Sequence, residues 1–389
     1  MKKNILLIVL LVALIIPSQS YATDDNTGNK NDLSWNKAVI YLGRYNNTLL
    51  NISETVDKAK RQYELAVENA EDIETEGVTV EIMGKEMFIE YDYYTKMMMT
   101  QQKELMPEQM KLSWEMNRDS WNATRNSMII GLRSYYLGLY NAHSTNEIKQ
   151  RSYDHAKSIY NQSKIKFEKG MITDIDLAGS EYDLLKAKAE SDAAKRSYEN
   201  MLRSLNSYLG TSLNVQYSDI TYDEIYDAKR LKDLDYYLER AQVNRFDFAS
   251  ISKQLVLMEK KKSIMDKYPL SLNTVDARKD YNNNLAEIEK AKQQLEIKKL
   301  DLEMEIKDSY IEASSAGKNV INMKKILDIQ KSSLEKTKRM YDMGMVSKTV
   351  IDKAQLGYDE FENNYNAVLF DYNTKLMKLE FQSRTGLAF

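Results

Sequence analysis

His143 and His155 are the only two imidazoles in 389 residues, and there is no cysteine. The two histidines stand twelve residues apart in a helical stretch. That separation is about 18 Å by helical rise, too far to share a metal ion. Without cysteine there is no thiolate, no disulfide framework and no thiol nucleophile. No His-Glu-x-x-His, Gly-x-Ser-x-Gly, phosphate-loop or dinucleotide fingerprint occurs. Gly317-Lys318-Asn319 lacks both the preceding glycine and the Ser or Thr of a phosphate loop. Aspartates and glutamates are abundant, but they fall at helix-surface spacing among lysines and arginines, the pattern of a solvated face. The expectation is a protein that is not an enzyme, with no cofactor and no metal.

Binding chemistry is where the sequence speaks. Phe167-Glu168-Lys169-Gly170-Met171-Ile172-Thr173 is matched by Tyr341-Asp342-Met343-Gly344-Met345-Val346-Ser347, with six of seven positions identical or conservative at an offset of 174. The same offset pairs Tyr136 with Tyr310, Ala142 with Ala316 and Asp154 with Asp328. An internal repeat of this length sets the architecture. A glycine turn exposes backbone polar groups that a partner can bond, and a methionine offers an adaptable apolar contact. Helix termination alone would also account for both glycines.

The elements that carry these turns must be long. Thirteen glycines and three prolines punctuate the chain sparsely, and helix formers dominate wherever the pattern is regular. The spacing predicts a helix from Leu33 to Ile73, then a β-hairpin over Val78–Tyr91 around Met83-Gly84-Lys85. From Pro107, read as a first-turn proline, to Lys169 the chain reads as one helix of about 60 residues. Gly170 ends it, Thr173 or Asp174 caps a return helix, and that helix closes at Leu209-Gly210. A connector rich in Tyr and Asp follows over 211–230. The second unit repeats the scheme: helix from Leu231 to Lys267, a loop at Leu270–Arg278, helix from Asp280 to Met343, turn at Gly344, and a helix from Ser347 to Ser383. Each hairpin carries two apolar stripes. On the first return helix they are Tyr198, Leu202, Leu205, Leu209 and Ala178, Tyr182, Leu185, Ala189. On the third long helix they are Leu295, Leu302, Ile306 and Ile297, Leu300, Met304, Ile311. Two stripes imply two sets of neighbours, so self-association follows. The abundant Tyr and Met read as packing residues.

Compartment comes from the first residues. Lys2-Lys3, an apolar run from Ile5 to Ile16, Pro17 and Ser20-Tyr21-Ala22 form a secretory signal over 1–22, with a polar stretch at 23–31. The formal net charge is −3, and it becomes more negative once Lys2 and Lys3 leave with the signal. That balance gives no support for nucleic-acid binding.

These features together resemble the TolC family of outer-membrane efflux proteins, over nearly all the mature chain. Three pieces carry the likeness: Tyr160 to Gly210 with its Gly turn, Ala-rich return helix and closing Leu-Gly; Ser333 to Gly386, the same pattern again; and Asn244-Arg245-Phe246-Asp247-Phe248, similar to the Asn-Arg-Pro-Asp-Leu with which the family's second repeat begins. The resemblance implies a mainly α protomer of two long antiparallel helical hairpins, one repeat over 23–220 and the other over 221–389. It implies a trimer, and tips at Gly170-Met171 and Gly344-Met345 that dock a membrane-fusion adaptor beneath an inner-membrane or cytoplasmic-membrane pump. The family's entrance is lined by an Asp six residues after the tip glycine. Asp176 fits that position, the second copy has Val350, and Asp174 and Asp352 are nearby candidates. An Asp at a helix start also serves as a cap or offsets the helix dipole.

The departure is the barrel. The hairpin's arms span five or six residues, whereas a membrane-spanning strand needs about 9–11. The sequence therefore predicts an exported, envelope-associated TolC-like efflux or secretion conduit without a spanning barrel of its own. The alternative is a secreted coiled-coil structural or binding protein with no transport role.

Overall fold

A computed structural model describes residues 32–220 and 226–388. The signal read at 1–22 and the polar stretch at 23–31 fall outside those residues. The chain runs α1 (Trp35–Tyr45), α2 (Asn47–Glu71), β1 (Gly77–Ile82), β2 (Lys85–Glu90), α3 (Tyr93–Glu168), α4 (Asp174–Leu209), α5 (Leu234–Asn244), α6 (Phe246–Lys267), α7 (Val275–Asp342) and α8 (Lys348–Gln382). The fold is mainly helical, two long antiparallel hairpins with one short β-hairpin, as the sequence implies. The internal repeat is visible in the ends of the elements. Helices α3 and α7 stop at Glu168 and Asp342, and α4 and α8 start at Asp174 and Lys348, all at the 174-residue offset.

Four boundaries differ from the sequence reading. The helix expected over Leu33–Ile73 breaks at Asn46, and the one expected over Leu231–Lys267 breaks at Arg245. Asn46 leaves helical geometry (φ −74°, ψ 116°) because its Oδ1 caps α2 by accepting from the Thr48 and Leu49 amides, while its Nδ2 donates to Tyr208 O at 2.9 Å. Arg245 has nearly the same backbone geometry (φ −67°, ψ 121°). Pro107 does not open a helix; it sits inside the 76-residue α3. An interior proline costs about 3 kcal/mol. Burial of Met97, Leu105 and Leu112, at about 2 kcal/mol each, exceeds that and keeps the segment helical. The expected loop at Leu270–Arg278 tightens into a 3-10 turn over Pro269–Asn273, and α7 begins at Val275.

Helix α3 is the centre of the packing, touching α2, α4, α6 and α8. Its Leu132, Tyr136 and Leu139 are buried with Leu42 of α1, Leu202 and Leu205 of α4 and Phe370 of α8 in one cluster. The two repeats are therefore joined through shared core. The C-terminal segment adds to this: Ala388 N donates to Ala123 O, and Ser127 Oγ donates to Ala388 O at 2.8 Å. Tyrosines pack as expected, Tyr135 against Tyr208 with ring centres 4.5 Å apart and Tyr63 stacked on Trp114 at 5.8 Å.

The Asn-Arg-Phe-Asp-Phe segment owes its composition to the second break. Arg245 is 1% exposed, pairs with Asp247 at 2.8 Å and Glu305 at 2.9 Å, and donates to Gln382 O. Lys298 reaches the same Asp247 carboxylate at 2.8 Å. Burial pushes the Asp247 carboxyl up, but the hydrogen bonds and charges of Arg245 and Lys298 outweigh it and hold it below the ordinary carboxylate range. Removing one partner of a buried ion pair leaves an uncompensated charge. Arg245→Ala is expected to lower stability by about 3–5 kcal/mol in urea titration, while Arg240→Ala, at a partly exposed position outside this ion cluster, changes it little. The depressed Asp247 contributes stability above its ordinary pKa that is lost as pH falls through the folded value. Asp247→Asn should flatten the acid limb of a melting-temperature profile between neutral pH and pH about 3.

Candidate functional site

Both Gly-Met turns are built from the same main-chain bonds. In the first, Gly170 N donates to Phe167 O and Met171 N to Lys166 O, each at 2.8 Å; in the second, Gly344 N donates to Tyr341 O and Met345 N to Met340 O, again at 2.8 Å. This is the Schellman closure, which needs a left-handed residue after the C-cap. Gly170 and Gly344 both have φ +69°. A Cβ added to either glycine would meet nothing within 4 Å, and Met171 and Met345 are about two-thirds exposed (68% and 67%). The sequence-derived tips are thus solvent-facing apolar knobs on rigid turns. Ile175 beside the first and Met343 beside the second are exposed as well and widen the apolar surface. They escaped notice because neither has an apolar counterpart in the other repeat, where Thr349 and Lys169 stand.

The three candidate acids part company. Asp176 belongs to a capping box: its Oδ2 accepts from Thr173 Oγ1 at 2.7 Å and Thr173 N at 3.0 Å, and its own amide donates to Thr173 Oγ1. Those bonds hold its carboxyl below the usual range. Asp174 is the first residue of α4, beside the helix's positive end. Asp352 on α8 faces His155 of α3, Oδ2 to Nδ1 at 3.9 Å. His143 packs edge-on against Tyr198, so the two histidines serve different surroundings. Ser347 occupies the N-cap position of α8, but no side-chain capping bond accompanies it.

Hairpins α3–α4 and α7–α8 are seamed along α3 and α8 by Arg133 Nε to Thr374 Oγ1 (2.8 Å), Asn366 Nδ2 to Tyr140 Oη (3.1 Å) and Arg151 Nη1 to Asp359 Oδ2 (2.6 Å). The seam sets an axial step. His155 is thirteen residues short of the end of α3, whereas Asp352 is only four residues into α8. The first tip therefore projects beyond the second by on the order of 10 Å.

Each apolar stripe pair divides into a covered and an uncovered member. Leu202, Leu205 and Leu209 on α4, and Leu302 and Ile306 on α7, are buried. Tyr182 and Leu185 on α4, and Ile297, Leu300, Met304 and Ile311 on α7, are all more than half exposed. Helices α4 and α7 are the two lateral edges of the row α4–α3–α8–α7, so both edges present apolar seams. Between α3, α6 and α7 lies an open groove of about 650 Å³, lined by Leu112, Met116, Phe246, Met258 and Asn284 among others. Among the described residues no set of three or more His, Asp or Glu side chains converges as metal ligands, and no helix is long and apolar enough to cross a membrane.

No protein-family model matches the sequence, and no curated protein does. Solved structures do. The Campylobacter jejuni CmeC outer membrane channel is 15% identical and superposes over 90% of this chain and 85% of its own, with a TM-score of 0.54. A Pseudomonas aeruginosa membrane protein matches over 91% of this chain and 90% of its own at 10% identity and a TM-score of 0.59. The open state of the Neisseria gonorrhoeae MtrE outer membrane channel matches over 91% and 89% at 12% identity and a TM-score of 0.56. The chain has the TolC-like channel fold. The likeness covers about nine-tenths of the chain, so the resemblance seen in the sequence is one of architecture.

The turn geometry makes a quantitative forecast. Gly170→Ala and Gly344→Ala each meet open space and only the left-handed penalty, about 1–2 kcal/mol. A Cβ on Gly210 (φ +79°) would lie 2.3 Å from Tyr45 O, so Gly210→Ala should cost clearly more than either tip variant in urea unfolding.

Proposed function

We propose that this chain is the protomer of an extracytoplasmic conduit for efflux or type I secretion. Copies associate edge to edge, as a trimer by resemblance, with the α4 face of one against the α7 face of the next. The tips Gly170-Met171 and Gly344-Met345 dock a membrane-fusion adaptor that links the conduit to an inner-membrane or cytoplasmic-membrane pump. The observation that carries the reading is the pair of uncovered apolar edges joined to two identically built, exposed turns. Exposed apolar area of this extent marks an interface, and a closed ring covers both edges with one repeated contact. The fold it shares with outer membrane channels supports the same reading.

Residues 23–220 and 221–389 are then the two repeats of one protomer, exported to the cell envelope. Asp174 and Asp176 are entrance acids beside the first tip, where Asp176 keeps its capping role, and Asp352 is an entrance acid set deeper, within reach of His155 across the seam. The conduit binds cargo and moves it without chemistry, so neither enzyme activity nor a cofactor or metal is part of the reading, and nucleic acid is not a partner. Six-residue strands are shorter than the roughly 9–11 residues of a spanning strand. Three such hairpins are therefore too short to build a barrel through a bilayer. Those short strands also favour a second reading, a coiled-coil structural protein of the envelope with no transport role.

Tip substitutions separate the two. Met171→Glu combined with Met345→Glu should abolish pump-dependent resistance or secretion while leaving the oligomer seen by light scattering intact. Unchanged transport sinks the docking role, and a wild-type chain that stays monomeric at micromolar concentration sinks the conduit.

A further inference from the structure

The β1–β2 hairpin is amphipathic, and its apolar side faces water. Val78 pairs with Ile89 and Val80 with Met87 in the antiparallel register. Strand alternation sets these four, with Ile82 and Lys85, on one face, and sets Glu81, Glu86, Phe88 and Glu90 on the other. Every residue of β2 and four of six in β1 are exposed. Met83 heads the two-residue turn with φ +53°, beside Gly84 at φ +75°, and its side chain is fully exposed. Glycine or asparagine suits that turn better; a bare methionine there is a contact residue in search of a surface. Two strands packed on nothing are marginal in water, so the hairpin needs a cover.

The cover is identified by charge and position. Glu71, Asp72, Glu74, Glu81 and Glu86 crowd the hairpin and its base, and none forms an ion pair among the described residues. At the same end of the molecule, the turn between α6 and α7 exposes Leu270 and Val275. Lys267, Arg278 and Lys279 surround that apolar pair in sequence and find no carboxylate, whereas Lys260, Lys261 and Lys262 nearby are all paired. Both ends flank the start of α3: α2 packs on one side of it, and α6 with the Pro269–Asn273 turn on the other, where Tyr268 Oη meets Thr100 Oγ1 at 3.1 Å. The row here is α2–α3–α6–α7, with the acidic hairpin beyond one edge and the basic turn at the other. Within one chain the two are held apart by α3. Between copies set side by side they become neighbours.

We propose that the hairpin of each copy docks on the α6–α7 turn of the next copy. Its apolar face covers Leu270 and Val275, and the acids at its base, Glu71, Asp72 and Glu74, meet Lys267, Arg278 and Lys279. An apolar centre with a charged rim is the anatomy of a protein–protein contact, and opposite potentials fix the register. A lipid surface is the poorer match, since anionic headgroups repel an acidic hairpin with Lys85 as its one lysine. This contact rests on the edge-to-edge assembly proposed above and adds to it a clasp at the end opposite the tips.

The test is a charge-reversal cycle on the exported chain, read by sedimentation velocity at low and physiological salt. Glu71→Lys with Glu74→Lys, or Lys267→Glu with Lys279→Glu, should each weaken self-association by about tenfold or more, and the two combined should restore it. All four residues are exposed, so folding is not at stake. Because the chain has no cysteine, Met87→Cys mixed with Val275→Cys, both exposed positions of the proposed contact, gives a second readout, a disulfide-linked dimer that neither variant forms alone. An assembled wild type indifferent to both reversals, or no rescue on combination, overturns the clasp and leaves the conduit standing. Hairpin-dependent flotation with phosphatidylcholine vesicles in place of the mixed disulfide also overturns it. A wild type that never assembles overturns both.

Discussion

Every other element takes its position from the burial of one helix. Helix α3, at about 1.5 Å per residue, is more than 100 Å long and has neighbours on four sides. Leu132, Tyr136 and Leu139 are almost fully withdrawn from water, and the Tyr136 hydroxyl donates to Leu33 O at 2.9 Å. A helix surrounded in this way cannot be amphipathic in the ordinary sense. Each of its faces serves a different partner, which is why its apolar residues recur without a single dominant stripe. Helices α4 and α7 lie farther out, and their sequences keep one stripe for the chain and one for whatever comes next to it.

The two repeats solve one geometric problem with two chemistries. In each, the opening helix, α1 or α5, breaks after eleven residues, and the end of a return helix closes on the break. In the first repeat the break is neutral: Asn46 caps α2 and bonds Tyr208, and Gly210 fits against Tyr45. In the second it is ionic: Arg245 sits among Asp247, Glu305 and the Gln382 carbonyl, and Gly386 lies against its guanidinium. A neutral cap and a buried ion cluster are not interchangeable, so the halves of this protomer have diverged beyond exchange at the junction while keeping the hairpins alike.

Much of this was legible in the residues. Gly170 and Gly344 marked the turns, the 174-residue offset aligned the long helices to the residue, and alternation located the β-hairpin. What was hidden depends on contacts distant in sequence. Nothing near Asn46 or Arg245 announces a break, because the groups that demand it are Tyr208 and Gln382. Pro107 reads locally as a helix start; only the apolar contacts of Met97 and Leu105 with the second repeat carry the helix through it. The dual stripes on α4 and α7 were visible, yet the sequence does not say which member faces inward. Asp176 was readable as a cap or as an entrance acid, and its hydrogen bonds with the Thr173 hydroxyl three residues earlier decide its local role.

The tips are closed by main-chain hydrogen bonds and one left-handed glycine apiece, with no side chain taking part in the closure. Positions 171, 175, 343 and 345 are therefore released from any duty to the fold. Such a surface can drift through many side-chain combinations at constant stability, and the glycines alone must stay. A conduit built this way can change the partner it recognises without first being redesigned.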